Sequence, residues 1–392
     1  MTRALASLRL AIAPTPTAHF GAGRIGEVGA AVSATGGSAA VIVTDAGLLA
    51  TPVIGAVQAA LDEAGIPAVV FGGVHGNPTT DDLAAGAEVV TELDARRSAL
   101  VAVGGGSSID AAKGIALAAV NAERGRDLDY RNDFALPGLP IVAVPTTAGT
   151  GAETNAFGVV TDPLTHRKFY VGHSSTMPAA AILDPELTAG LPPAVTAATG
   201  LDALTHAIES YLSVRANPWS DGIALQVISM VRAYLTRSFL AGDDQEARAG
   251  MLLASHMAGI GMGTTGLGLV HAIGHAIGGR HDIAHGVTLA MVLPQVLRFS
   301  GDVCGERLAA IAFALGSGDT GKDSRWNAAA AIDAVTGLRA EIGLAVRPAD
   351  YGIGADVYAA IAADALDDEV LVNAPRQPSA AQIEEILAAA SK

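Results

Sequence analysis

The feature that most constrains this chain is an alternation. Apolar, β-branched runs AAVIVTD (39–45), AVVFGGV (68–74), ALVAVGG (99–105), IVAVP (141–145) and AAILD (180–184) alternate with segments such as TPVIGAVQAALDEAG (51–65) and DDLAAGAEVVTELDA (81–95), whose apolar positions recur every three to four residues. Strand then helix, repeated, predicts a parallel sheet with helices on both faces. After LPPAVTAATG (191–200) the strand-like runs largely stop. From Leu201 the pattern is helical nearly to the end, punctuated near Asn217-Pro218, Gly242, Gly278-Gly279, Gly316 and Pro348. The expected organisation is an α/β domain over 1–190 and a helical domain over 191–392, with no low-complexity linker and so with direct packing about a cleft.

With 392 residues, half of them hydrophobic, each domain can bury a core of its own. A formal net charge of −15 repels a phosphate backbone, and no lysine or arginine run offsets it, so nucleic acid is excluded as a partner. The single cysteine, Cys304, allows no intrachain disulfide, and a reducing, cytoplasmic setting is expected. Arg9 and Pro14 cut the apolar run of MTRALASLRLAIAPTP too short for a signal-peptide core. The stretch from Met251 to Gly279 has no acidic or basic residue and is long enough to span a bilayer. Its histidines, hydroxyls and repeated glycines, without basic or aromatic flanks, fit a buried helical hairpin better, and no membrane contact is expected.

ALVAVGGGSSIDAAKGIALAA (99–119) reads as a buried strand, three glycines and a helix. Gly104, Gly105 and Gly106 permit a sharp turn and close approach of a ligand, and the new helix offers free N–H groups to an anion such as a pyrophosphate. The bland reading is a tight turn with a Ser107–Asp110 capping box. A second loop, PTTAGTGAE (145–153), again follows a strand with small polar groups in Thr146, Thr147 and Thr150, and two such loops at neighbouring strand ends favour one nucleotide site. Asp45, ending the first long strand, suits both ribose hydroxyls of an adenosine and repels a 2′-phosphate; capping the next helix is its alternative role.

Four of the ten histidines fall within VHAIGHAIGGRHDIAH (270–285). Residues four apart share a helix face, which groups His271 with His275 and, on an earlier helix in TGLDALTHAIESY (199–211), Asp202 with His206. His281 and His285 repeat the spacing beyond Gly278-Gly279, where the helix is expected to break. Burying several imidazoles without partners costs several kcal/mol. A divalent ion held by one carboxylate and two or three imidazoles removes that cost, and either Fe(II) or Zn(II) suits such a set. Spacing alone does not decide whether His275 or His281 is the bystander.

Taken in order, GGGSSIDAAK (104–113), PTTAGTGAE (145–153), LDALTHAIE (201–209) and GLGLVHAIGH followed by HG at 285–286 resemble the iron-containing, group III alcohol dehydrogenase family. The resemblance covers most of the chain. It implies a Rossmann-like, dehydroquinate synthase-like α/β domain with an all-α metal-binding domain, and hydride transfer between NAD and a small alcohol or aldehyde. It further implies metal ligands Asp202, His206, His271 and His285, with His275 beside the metal as the catalytic group. Cofactor contacts carried over are Asp45, Gly104, Gly105, Gly106, Ser107, Thr146, Thr147, Thr150 and Lys168. A homodimer or larger homo-oligomer is expected. Met262 stands where many relatives carry an aromatic residue, and ETNAFGVVTD (153–162) and His256 also depart from the common wording, which bears on the substrate rather than the reaction. Two rival readings are a glycerol dehydrogenase-like polyol enzyme using zinc and a non-catalytic nucleotide- or metal-sensing protein.

Overall fold

The computed structural model describes residues 9–392 apart from 13, 94–96 and 166; the first eight residues of the N-terminal stretch, and Asp94 and Ala95 of the second helical segment, lie outside the described residues. Six strands, β1 (Thr17–Phe20), β2 (Ala39–Asp45), β3 (Ala68–Val74), β4 (Ser98–Gly104), β5 (Ile141–Pro145) and β8 (Ala180–Leu183), form one parallel sheet in the order β1-β8-β5-β4-β2-β3. Side chains alternate between its faces. Val41, Val43, Leu100, Ala102 and Ile141 meet Leu83 and Val90 of α4 (Thr80–Glu92) and Ile109 and Ile115 of α5 (Gly106–Ala118). Ile42, Val101, Val103 and Val142 meet Val28 and Val32 of α1 (Val28–Ala34) and Val57 and Leu61 of α3 (Pro52–Glu63). Burial on both faces explains why β4 and β5 read as continuous apolar runs.

The winding reverses between β2 and β4, since β3 lies outside β2 while β5 and β8 follow on the far side of β4. Crevices outside the carboxyl ends of strands at such a reversal are where nucleotides bind. Two elements were not predicted: β1, an exposed four-residue edge strand without an apolar run, and the antiparallel hairpin β6 (Phe157–Asp162) and β7 (Arg167–Gly172). The hairpin folds over α5, burying Val160, Phe169 and Val171 in the same core.

Beyond the sheet the described chain is helical: α6 (Pro193–Leu212), α7 (Pro218–Leu240), α8 (Gln245–Thr265), α9 (Leu269–His281), α10 (His285–Ala314), α11 (Ser324–Glu341), α12 (Ala355–Asp367) and α13 (Ala380–Ala390), with 3-10 turns between some of them. Helix α6 is the axis of this half, with nearly every side chain from Thr196 to Leu212 buried. The charge-free segment forms α8 and α9, a hairpin turning at residues 266–268. Of the described helices, α10 alone is long and apolar enough to cross a membrane, and 61% of its apolar window is buried inside the protein. One expectation fails: Gly278-Gly279 does not end α9. The helix runs on to His281, and the stop comes at Asp282, whose φ of 50° is left-handed and whose N–H donates to Gly278 O. Residues 282–284 then lead directly into α10.

Candidate active site

The glycine turn is built by steric need. Gly104 has φ +151° and a Cβ there would lie 2.3 Å from Ser108 Oγ, while one at Gly106 would lie 2.6 Å from the Thr150 methyl. The bare backbone thus lets the turn after β4 approach the loop after β5, and Thr146 N donates to Gly104 O at 2.9 Å. The Ser107–Asp110 capping box is absent, because both side chains are engaged elsewhere. Ser107 Oγ donates to Gly76 O, and Asp110 Oδ2 accepts from Val159 N at 2.9 Å. Asp110 is also 3.5 Å from Lys113, which is fully buried and donates to Ala152 O, Asn155 Oδ1 and Phe157 O. Burial pushes the Asp110 carboxyl up and the Lys113 ammonium down, each opposed by the other's charge. Asp45 does cap α2 (Ala46–Leu49): its Oδ1 accepts from Gly47 N and Leu48 N.

Across from these loops, one face of α6 carries Asp202, His206 and Glu209 at positions i, i+4 and i+7. Asp202 Oδ1 is the point of convergence, 3.3 Å from His206 Nε2, 3.5 Å from His271 Nε2 and 3.6 Å from His285 Nε2. Donor atoms of Asp202, His271 and His285 all lie within 4.8 Å of one another, with His206 stacked on His271 at the edge of the group. Asp202 Oδ1 and His271 Nε2 are both buried without a hydrogen-bond partner. Such orphans are costly, and a cation among them satisfies both at once, so the donor set fits a divalent ion.

The far nitrogens fix these rings. His206 Nδ1 is 3.2 Å from Gly149 O, and His271 Nδ1 is 2.6 Å from Glu209 Oε2. Glu209 also accepts from Gly268 N and Val270 N, so one carboxylate caps α9 and aims its first histidine. Burial holds His206 down to about 4 and His285 well below its ordinary value. His271 is buried too, but the Asp202 and Glu209 carboxylates beside it push it up to about 9; the imidazoles of His206, His285 and His271 hold Asp202 low against burial.

A cleft of about 300 Å³ joins the two walls. Gly105, Gly106, Ser107, Thr147, Thr150 and Lys168 line it on the sheet side, and Asp202, His206, His271, His275, His285 and Met262 on the helical side. Gly104, Thr146 and Asp45 are not among the residues that line it. Lys168 Nζ donates to Asn77 Oδ1 at 3.1 Å, and burial lowers its pKa. His275 lies against the cluster, its ring 5.3 Å from that of His285, with Nδ1 2.7 Å from Asp368 Oδ2. His281, the other candidate bystander, lines a separate cavity beyond Gly279. His256, unusual in the sequence, pairs with buried Glu153 at 3.0 Å. Sequence reasoning missed Glu209 and Asp368. The i+7 spacing from Asp202 marks Glu209; Asp368 follows α12, with no spacing that ties it to His275.

Sheet, turns and cluster together define a two-domain oxidoreductase. Residues 14–185 match the iron-containing alcohol dehydrogenase family, and residues 196–391 match the C-terminal domain of the Fe-containing alcohol dehydrogenase family. The chain is 40% identical over 375 residues to a probable alcohol dehydrogenase, EutG, of Salmonella typhimurium, covering 96% of this chain and 93% of that one. It is 36% identical over 372 residues to an NAD-dependent methanol dehydrogenase of Bacillus methanolicus, covering 95% and 97%. A crystal structure of 1,3-propanediol oxidoreductase superimposes with a TM-score of 0.93 at 36% identity, covering 96% of this chain and 98% of that one. The chain belongs to the iron-containing alcohol dehydrogenase family, and it is an enzyme of the alcohol dehydrogenase type. The polyol and sensor readings are not favoured.

Proposed function

We propose that this enzyme transfers hydride between a small alcohol or aldehyde and NAD, with one divalent metal held by Asp202, His206, His271 and His285. The observation that carries the reading is the pair of buried, unpartnered atoms, Asp202 Oδ1 and His271 Nε2, facing a cleft that also contains the glycine turn. A bound divalent ion supplies Lewis acidity, which lowers the pKa of an alcohol and polarises an aldehyde carbonyl. Iron is the favoured ion on the family's name, while one carboxylate and three imidazoles also suit zinc. His275 Nε2 takes the hydroxyl proton in one direction and returns it in the other. Gly104, Gly105, Gly106, Ser107, Thr146, Thr147, Thr150 and Lys168 hold the cofactor, directly or by shaping the turns. Two domains divided near residue 190 flank the cleft. Lone Cys304 supports a cytoplasmic setting, and exposed Leu10, Ile12 and Phe20 around edge strand β1 support a homo-oligomer.

Following NADH absorbance with a panel of alcohols and aldehydes, after chelation and then with added Fe(II) or Zn(II), tests the reading. Turnover should vanish with the metal and return with it. A metal-free protein of full activity, indifferent to EDTA, sinks the proposal. Cofactor choice rests on Asp45, whose second oxygen is not used in capping α2 and meets a 2′-phosphate as like charge against like. Asp45→Gly should lower the ratio of kcat/KM for NAD over NADP by about tenfold, a difference of about 1.4 kcal/mol. A wild-type enzyme that prefers NADP contradicts this role for Asp45.

A further inference from the structure

We propose that Asp368 is a positioning residue for this reaction: it holds the Nδ1–H of His275 and thereby turns the ring's Nε2 into the cleft. The inference rests on the reading of His275 as the proton-handling group. Both side chains are largely buried, 12% exposed for His275 and 13% for Asp368, and their 2.7 Å contact joins α9 to the 3-10 turn Glu369–Asn373 after α12. The other oxygen, Oδ1, accepts from Val370 N at 3.0 Å. Backbone therefore fixes the carboxylate, leaving one oxygen for the imidazole. A carboxylate accepts and does not donate, so Nδ1 carries the hydrogen, and in the neutral ring the lone pair sits on Nε2. Ring contacts with His285 at 5.3 Å and His271 at 5.8 Å set the plane that Asp368 locks.

The need for such a lock lies on the other side of the ring. His275, Lys168 and Tyr170 line both the cleft and a second cavity of about 290 Å³, whose wall includes Asp368. Its other charged groups are largely paired among themselves, Arg131 with Asp129 and Glu369, and Arg280 with Asp364. Asp368 is the carboxylate of that wall that hydrogen-bonds the ring, at 2.7 Å. Without it, water from this cavity can reach Nδ1 and take the carboxylate's place as acceptor or as donor, and in the rings whose hydrogen then sits on Nε2 that nitrogen can no longer accept the hydroxyl proton.

Four proteins test this: wild type, Asp368→Ala, His275→Ala and the double variant, each assayed for kcat in alcohol oxidation, metal content and NADH binding. Asp368→Ala should lower kcat by about 10–100-fold, as loss of an orienting partner does, with metal content and NADH affinity unchanged. In the His275→Ala background the same change should cost no more than about twofold, because the group it orients is gone. Asp368→Asn, whose amide oxygen still accepts, should recover part of the loss and guards against a folding defect in the alanine variant. Equal losses in both backgrounds overturn the inference, since they mean that Asp368 serves only the turn. A slow His275→Ala beside a fully active Asp368→Ala overturns it alone, whereas a fully active His275→Ala overturns the reading of His275 as well.

Discussion

Asp202→Ala should yield a folded protein without metal and without activity. Asp202 is the single anion among three imidazoles whose Nε2 atoms stand 3.3–3.6 Å from its Oδ1. Removing it leaves three neutral donors with no charge to offset that of the ion. Loss of an orienting partner costs 10–100-fold in metal affinity, and loss of the charged ligand itself should exceed about 100-fold. The fold should survive, because His271 keeps Glu209 and His206 keeps Gly149 O. Elemental analysis of protein purified without chelators, a circular dichroism melt and turnover decide the matter together. A variant holding stoichiometric metal at wild-type activity means that the centre lies elsewhere.

His275→Ala and His285→Ala should fail in different ways. The two rings stack 5.3 Å apart, yet only His285 points Nε2 at Asp202; the Nδ1 of His275 is turned away, to Asp368. His275→Ala should keep its metal and lose about 10²-fold in kcat, the lower end of what a positioned proton-transfer group supplies. His285→Ala should lose metal first and activity as a consequence. Added Fe(II) at high concentration should restore His285→Ala in part and leave His275→Ala unchanged. A metal-free His275→Ala beside a metal-replete His285→Ala reverses the two roles.

The parallel sheet was legible because its inner strands are buried on both faces and therefore spell out unbroken apolar runs, from Ala39 to Val43 and from Ile141 to Pro145. β1 was not, since an exposed edge strand of four residues carries no such run. Asp202 and His206 declared themselves by i,i+4 spacing on a helix with little else polar. Glu209 was hidden in the same helix face, one turn further on, because a carboxylate at a helix end is ordinarily a solvated charge; only the fold brings Gly268, Val270 and His271 to it. Gly278-Gly279 misled for a related reason. Glycine weakens a helix by only about 1 kcal/mol, a cost that a helix buried at Ala276, Ile277 and Gly278 can carry, and the left-handed Asp282 ends it instead. Ser107 and Asp110 have the sequence of a capping box and bond instead to Gly76 and Val159, partners remote in sequence.

The four donor side chains differ in how they meet solvent. Asp202, His206 and His271 are at most 5% exposed, sealed inside the helical half, while His285 is 31% exposed at the first turn of α10. His285 is therefore the most solvent-open of the four, and it lines the cleft the nucleotide would fill. A bound dinucleotide would cover that side of the cluster, so a chelator should strip a bound metal more slowly with NAD present than without it.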